Sequence, residues 1–452
     1  MLSGNFARSP LTKPFSKCPG ASPGPESFSL GASLLDAEPT PAQPLSSNLS
    51  TFLNIINNYV GMVLLSMHFT FARSGWLALP ALTILTAFGA FTGEIIVESY
   101  KKIAGPDESR APSYAAIGER CLGAGGKWLV VVSSVIETFF AILCMLIIIW
   151  NNAILLLPFA DSGWVIAGCI VLSLPTNLLR DFSVLSFLSA FGLACIVLIV
   201  AVVIFNVATL DPALPVPLHE LADVSGLPMS GSIMLAGLTG HVGLPPMYAE
   251  MKTPSAFRPT LYAAFAAMLA MYAAVGVGGY LLYGADSSIL ITSDMMAAAV
   301  AHTHHHGVVG KVLSQLVLGA ITFKLFCGVP VCVIVLVDIT NDLYQDGGGE
   351  ALSQLAADRV RLGIWCLSVA CALALYTSLQ YVTALIGINS MLISILLPLL
   401  FYAQLHRHEM GPARKLLYAA LTLASIAVTV VIGWVDVQEF IEHLRLAGVM
   451  GE

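Results

Sequence analysis

The chain has 452 residues, of which 57% are hydrophobic and only 10% charged, with a formal net charge of −7. Soluble domains carry about 25% charged residues, so this apolar excess implies lipid as the main solvent. That excludes a soluble enzyme and a secreted disulfide scaffold, and the absence of a basic surplus excludes a nucleic-acid binder.

Residues 1–47 stand apart. Eight Pro, nine Ser and four Gly fill them without apolar periodicity, which predicts a disordered cytosolic tail. Arg8, Lys13 and Lys17 precede the first acid, Glu26, in a faint likeness to a transit peptide. No apolar run follows them, so no secretory signal is expected. Residues 48–436 are expected to form the transmembrane domain, and 437–452 a short tail on the non-cytosolic side.

A membrane-crossing helix needs about 20 mostly apolar residues. On that scale the sequence predicts an all-α polytopic protein with about eleven spans, at about 49–72, 76–99, 128–150, 163–179, 182–208, 229–248, 259–283, 312–342, 361–377, 380–405 and 416–436. With the N-terminus in the cytosol, sixteen of the twenty Lys and Arg fall on cytosolic segments, as the positive-inside rule requires. The Asn48-Leu49-Ser50 glycosylation motif then lies in the cytosol and should stay unmodified. Seven of the nine Cys sit in apolar runs, where the residue acts as a small hydrophobe. We expect no structural disulfide, no metal site and no cofactor.

Two spans are interrupted. The first reads NLSTFLNIINNYVGMVLLSMHF, broken by Asn54, Asn57, Asn58, Gly61 and Ser66. The sixth reads MSGSIMLAGLTGHVGLPPMYAE, broken by Gly237, Gly240, Gly243, Pro245 and Pro246, with Thr239 and His241 at its middle. Gly costs about 1 kcal/mol in a helix interior and Pro about 3. In lipid the freed backbone groups must also find partners, so such breaks are tolerated where they line a cavity. Matching breaks in two halves of a chain point to a transporter's midplane site. Freed N–H groups suit a carboxylate and freed carbonyls an ammonium, a geometry that fits a free amino acid or another small zwitterion.

These residues resemble the amino acid/auxin permease family. NIINNYVGMVLLSMHFTFARSGW looks like its first signature and PPMYAEMKTPSAFRPTL its second; the run from Tyr272 through GGYLLYG to ITSDM, and LPTNLLRDFSVLSFLSAFG, match two further stretches. The resemblance covers about 49–405. It implies a five-plus-five inverted repeat with broken helices 1 and 6 and an appended eleventh helix. It also implies secondary active transport of amino acids, often as symport with a proton and less often with sodium. By position, the implied substrate site holds Gly61, Val63, Leu64 and Ser66 with Gly237, Thr239, Gly240 and His241. The sequence departs from the family pattern at Val63, where a second Gly is usual, and at His68, where Pro is usual.

Charges at bilayer depth cost about 2.5–3.5 kcal/mol on insertion scales. Glu137, the tenth residue of span 3, lies about 15 Å along it, and Lys324 lies near the middle of span 8. Two readings follow: a coupling pair, with Glu137 carrying a proton and the Lys324 ammonium standing where sodium binds in related carriers, or a fixed ion pair between two helices, which is the expectation here. A Lys near this place also resembles the vesicular and vacuolar branch of the family. Glu94 and Glu98 should reach the interface beside Lys101 and Lys102. His68 and His241 flank the breaks as satisfied polar groups. His302, His304, His305 and His306 read as a solvated outer loop. Asp338 and Asp342 should meet water at the end of span 8.

The sequence therefore reads as a proton-coupled amino acid transporter of a vacuolar-lysosomal or plasma membrane, whose partners are an amino acid and the bilayer. The rival reading is an amino-acid-sensing receptor of the same fold. A membrane enzyme is disfavoured, because no H-E-x-x-H or like cluster appears.

Overall fold

Ser47 starts the first helix by accepting a hydrogen bond from the Ser50 amide (3.1 Å), the usual way an N-cap satisfies a free donor. The computed structural model describes residues 46–104, 113–176, 182–210, 217–300 and 307–446. The expected tail as far as residue 45, and the four histidines of 302–306, lie outside the described residues. In chain order the helices are α1 (Asn48–Tyr59), α2 (Met67–Ser74), α3 (Ala78–Ile103), α4 (Tyr114–Leu156), α5 (Ser162–Thr176) and α6 (Phe182–Ala208). There follow α7 (Leu227–Ala236), α8 (Leu244–Ala249), α9 (Phe257–Tyr283), α10 (Ile291–Val300) and α11 (Gly307–Asp346). The last are α12 (Gln354–Ala374), α13 (Leu379–Ser390), α14 (Leu397–Leu405) and α15 (Pro412–Leu446). Among the described residues there is no strand, only an isolated parallel bridge of Ser46 with Met251.

Among the described residues, seven stretches are long and apolar enough to cross a membrane: Met62–Ile103, Tyr114–Leu156, Phe191–Ala208, Pro254–Asp286, Val309–Asp346, Leu379–Leu405 and Pro412–Leu446. Ser162–Pro175 and Ile291–Val300 are shorter apolar helices. Among the described residues each expected span is helical at least in part, but not each as one long rod. The first and sixth are cut at their breaks, the fourth is short, and α12 begins at Gln354 and carries Asp358, Arg359 and Arg361 in its first two turns. Helix α10, ten residues long, lies outside the expected spans, being too short to read as one.

Three elements run differently from their expected edges. Helix α4 begins at Tyr114, capped by Ser113 (3.2 Å to the Ala116 amide), and bends at Gly123, whose φ is 64°. Between α13 and α14 the chain widens into a π-helix over Met391–Leu396. Pro398, in the first turn of α14, lacks the N–H that a regular turn would use, and the Tyr114 hydroxyl donates to the Ile393 carbonyl within the π-helix (2.7 Å). Helix α15 continues through Leu446, ten residues past the expected edge of the last span at 436. A polar and aromatic face holds this extension: Asp436 accepts from Ser232, Glu439 pairs with Arg73 (3.1 Å), and Phe440 and His443 pack on Tyr381.

Close packing in lipid favours small residues at helix crossings. At Gly387 on α13 a Cβ would overlap the Ser232 carbonyl of α7, so this crossing requires glycine.

The end expected to face the cytosol carries ion pairs: Glu94 with Arg258 (3.0 Å), Glu98 with Lys101 (2.7 Å), and Lys102 with Glu409. Glu94 also accepts from the Tyr262 hydroxyl (2.7 Å). The Lys102 ammonium holds the exposed Glu409 carboxyl below the usual carboxylate range. Asp338 and Asp342 are exposed. The opposite end is layered by residues 217–226. Their backbone bonds Trp76 through Glu220 (3.3 Å), Ser74 through Asp223 (3.2 Å) and Ala285 through Leu218 (3.0 Å). The Ser225 hydroxyl and amide hold the Asp223 carboxyl below its ordinary value.

Candidate functional site

Helix α1 stops at Tyr59. Val60 (φ −82°, ψ 90°) and Gly61 (φ −113°, ψ −138°) leave helical geometry, and the chain resumes as a 3-10 turn over Met62–Ser66 before α2. The second interruption follows α7. Gly237 to Gly240 are non-helical, His241–Gly243 form a 3-10 turn, and α8 begins at Leu244 with Pro245 and Pro246 in its first turn. Gly240 takes φ 145°, a value open in practice to glycine alone.

The two interruptions meet. The Asn58 side-chain amide donates to the Gly240 carbonyl (3.0 Å). The Tyr272 hydroxyl, from α9, donates to the Gly237 carbonyl (2.6 Å) and lies 3.2 Å from the Tyr59 carbonyl. The Lys324 ammonium, from α11, donates to the Val60 carbonyl (3.2 Å). Carbonyls freed by both breaks are thus satisfied by side chains, as lipid-buried backbone requires. Beside Gly61 an added Cβ would meet nothing within 4 Å, whereas at Gly240 it would lie 2.6 Å from the Asn58 amide nitrogen.

The site residues expected from the sequence divide into groups. Gly61, Thr239 and Gly240 are half-buried around the meeting point. Gly237 is enclosed, its Cβ direction closed by Met67 and Tyr272. Val63, Leu64 and Ser66 are buried in the 3-10 turn, Leu64 completely. His241 is also fully enclosed. Its Nδ1 sits 3.2 Å from the Tyr59 hydroxyl, and its Nε2 lies 3.1 Å from the Gly89 carbonyl and 3.0 Å from the Thr92 hydroxyl. A neutral ring with its proton on Nε2 fits this set, donating to Gly89 and accepting from Tyr59. The imidazole therefore ties the turn before α8 to α1 and α3.

Glu137 on α4 lies next to Thr239. Apart from each other, the Glu137 Oε2 and the Thr239 hydroxyl are buried without a hydrogen-bond partner among the described residues. The expected ion pair of Glu137 with Lys324 does not form. Lys324 turns instead to the first break, because a carbonyl freed at Val60 offers the ammonium an acceptor that an intact helix would withhold. Glu94 and Glu98 lie at the helix end, as described above. His68 is enclosed and pairs with Asp294 of α10 (2.8 Å).

Sequence reasoning missed three contributors. Asn58 is visible in the sequence only as an interruption of an apolar run, Tyr59 only as a letter of the first matching stretch, and Tyr272 only as the start of another. For Asn58 the signal was an amide at a helix break. For Tyr272 there was none, since a Tyr in an apolar helix looks like core.

A family model described as transmembrane amino acid transporter protein matches residues 45–440. Among curated relatives, the chain is 29% identical to the amino acid transporter AVT1D of Arabidopsis thaliana over 257 residues, 54% of this chain and 46% of that protein. It is 27% identical to AVT1B of the same plant, over 91% of this chain and 76% of the relative. It is 24% identical to the vesicular inhibitory amino acid transporter of Homo sapiens, over 87% of this chain and 74% of the relative. The chain thus spans about half the length of some of the relatives it matches and about three quarters of others.

Proposed function

Because the chain belongs to the family of transmembrane amino acid transporter proteins, we propose that it carries free amino acids across a membrane, exposing one midplane site to each side in turn. The observation that carries this reading is the meeting of two interrupted helices at Gly61 and Gly240, tied through Asn58 and Tyr272. A zwitterion held there meets N–H groups of the turn after Gly61 with its carboxylate. Its ammonium faces the side of Thr239 and Glu137, whose buried oxygens have no partner beyond each other among the described residues.

Transport is coupled to protons rather than sodium. Glu137 carries the proton, since a buried carboxylate without a cation partner is stable only when neutralised. Lys324, held by the Val60 carbonyl, supplies an ammonium between α1 and α11 where a coupling cation would otherwise bind. The resemblance to a vesicular carrier favours an internal membrane.

The test is uptake of a panel of labelled amino acids by proteoliposomes holding the purified chain, with and without an imposed pH gradient and with sodium replaced by choline. Accumulation of one or more amino acids, driven by the pH gradient and indifferent to sodium, is expected. Binding without flux for every amino acid would replace the carrier by a sensor.

A further inference from the structure

The turn between α14 and α15 gathers positive charge at the end expected to face the cytosol. Residues 406–415 read HRHEMGPARK. Glu409 is their one acid, and Lys102 of α3 takes its carboxylate. Arg407, Arg414 and Lys415 are exposed and have no carboxylate partner among the described residues. Arg407 Nε donates to His408 Nε2 instead (2.9 Å). Other basic residues of this end are matched by acids: Lys101 by Glu98, Lys127 by Asp346 and Arg258 by Glu94.

Local bonds and packing fix where these charges stand. The Glu409 and Met410 amides donate to the His406 carbonyl (2.9 and 3.1 Å), and the Lys415 amide donates to the Gly411 carbonyl (3.1 Å). Met410 and Tyr418 are buried in one cluster with Ile95 of α3 and Leu399 and Tyr402 of α14. Arg414 Nη2 donates to the Tyr402 hydroxyl (3.0 Å). The Tyr402 ring is itself stacked between His406 (4.1 Å) and Tyr418 (5.1 Å). This tie uses one of the five guanidinium donors.

Lipid-facing surface begins at once. Lys415, Ala419, Leu423, Ile426 and Val430 fall at helical spacing on one face of α15, and all five are exposed. Leu423 is 67% and Val430 64% exposed, so this face is an apolar stripe with an ammonium at its head.

We propose that Arg407, Arg414 and Lys415 hold the phosphate of an anionic phospholipid from the adjoining leaflet, with its acyl chains along the stripe of α15. An arginine fork takes two phosphate oxygens at once, and a lysine adds a compact charge. Basic clusters beside a membrane helix attract anionic headgroups, by about fivefold in binding for each Lys or Arg. The stripe selects a lipid over a free anion, because only a lipid covers it. The site is remote from the two helix breaks, and its test reads lipid binding, so it stands or falls separately from the transport reading.

The test uses the full chain purified in a nonionic detergent, with bound lipid counted by native mass spectrometry. Dioleoylphosphatidylglycerol is the anionic probe and dioleoylphosphatidylcholine, with the same chains, its zwitterionic control. Wild type should bind the anionic lipid at least about tenfold more tightly than the control, as two or more such charges imply. Arg407→Gln with Lys415→Gln, which touches no buried contact, should bring the two lipids within about twofold of each other. Arg414→Gln should weaken the preference about fivefold, and the double variant decides the matter if loss of the Tyr402 tie unfolds this one. Lys252→Gln with Arg359→Gln removes two exposed charges from the same end outside the turn, and should keep the wild-type preference. No preference in wild type, or an equal loss in the Lys252 and Arg359 control, overturns the site. Displacement of the lipid by inorganic phosphate at equal concentration also overturns it, since the turn would then take a free anion.

Discussion

Lys324 Nζ donates to the carbonyl oxygen of Val60 across 3.2 Å, joining α11 to the point where the first helix breaks. Gly192 on α6 packs at the same place, with an added Cβ 3.2 Å from Lys324 Cε. The ammonium is thus held by backbone and not by Glu137, and this sets what each charge does when the other is removed.

Glu137→Gln should leave protein levels near wild type, because no cation loses its partner. Removing one half of a true buried pair would instead cost about 3–5 kcal/mol. Uphill accumulation driven by a pH gradient should stop in this variant, while amino acid exchange persists. Low protein in Glu137→Gln that is restored by adding Lys324→Met would restore the ion pair and reject the proton-carrier role.

Lys324→Met should leave the Val60 carbonyl without its donor, at about 1–3 kcal/mol, and abolish transport. Wild-type uptake in sodium-free medium should match that in sodium. A sodium requirement in wild type would reject the proposal that this ammonium stands in for a cation.

Gly61→Ala and Gly240→Ala should separate binding from folding. The Gly240 substitution imposes a side chain on φ 145° and brings a Cβ to 2.6 Å from Asn58, so lowered thermal stability is expected, by about 1–3 kcal/mol. The Gly61 substitution meets open space, so stability should hold while uptake falls, because a methyl would project beside the break. Unimpaired uptake by a stable Gly61→Ala variant would move the substrate elsewhere.

Tyr272→Phe should uncouple the two breaks. The Gly237 carbonyl loses its side-chain donor, an expected cost of about 1–3 kcal/mol, seen as a lower melting temperature. If the hydroxyl also sets the spacing of the half-sites, KM should rise while the rate at saturating substrate changes less. Equal loss in both would assign it to structure alone.

His241→Gln should destabilise the protein by about 1–2 kcal/mol through the lost bonds to Tyr59 and Gly89, yet leave the pH profile of transport unchanged, because the ring is neutral and enclosed. A shifted profile would make this histidine part of the proton path.

Much of this was legible in the chain itself. Composition alone required a lipid environment, since 57% apolar residues exceed what a soluble core hides. Helix existence followed from the length of apolar runs, because in lipid the backbone must satisfy itself. The positions of both breaks followed as well, since Gly61, Gly240, Pro245 and Pro246 cannot continue a regular helix without loss. All of these are local properties, decided by residues within one or two turns of each other. What touches what is not local. Asn58 and Gly240 are 182 residues apart, Lys324 and Val60 264 apart, and His68 and Asp294 226 apart. No periodicity links such pairs. Opposite charge suggested Glu137 with Lys324, but the ammonium went to a carbonyl that exists as a free acceptor only because the first helix is broken. The sequence determined where the helices fail. The tertiary structure decided which side chains repair them, because every freed polar group in lipid takes whichever partner the packing brings within reach.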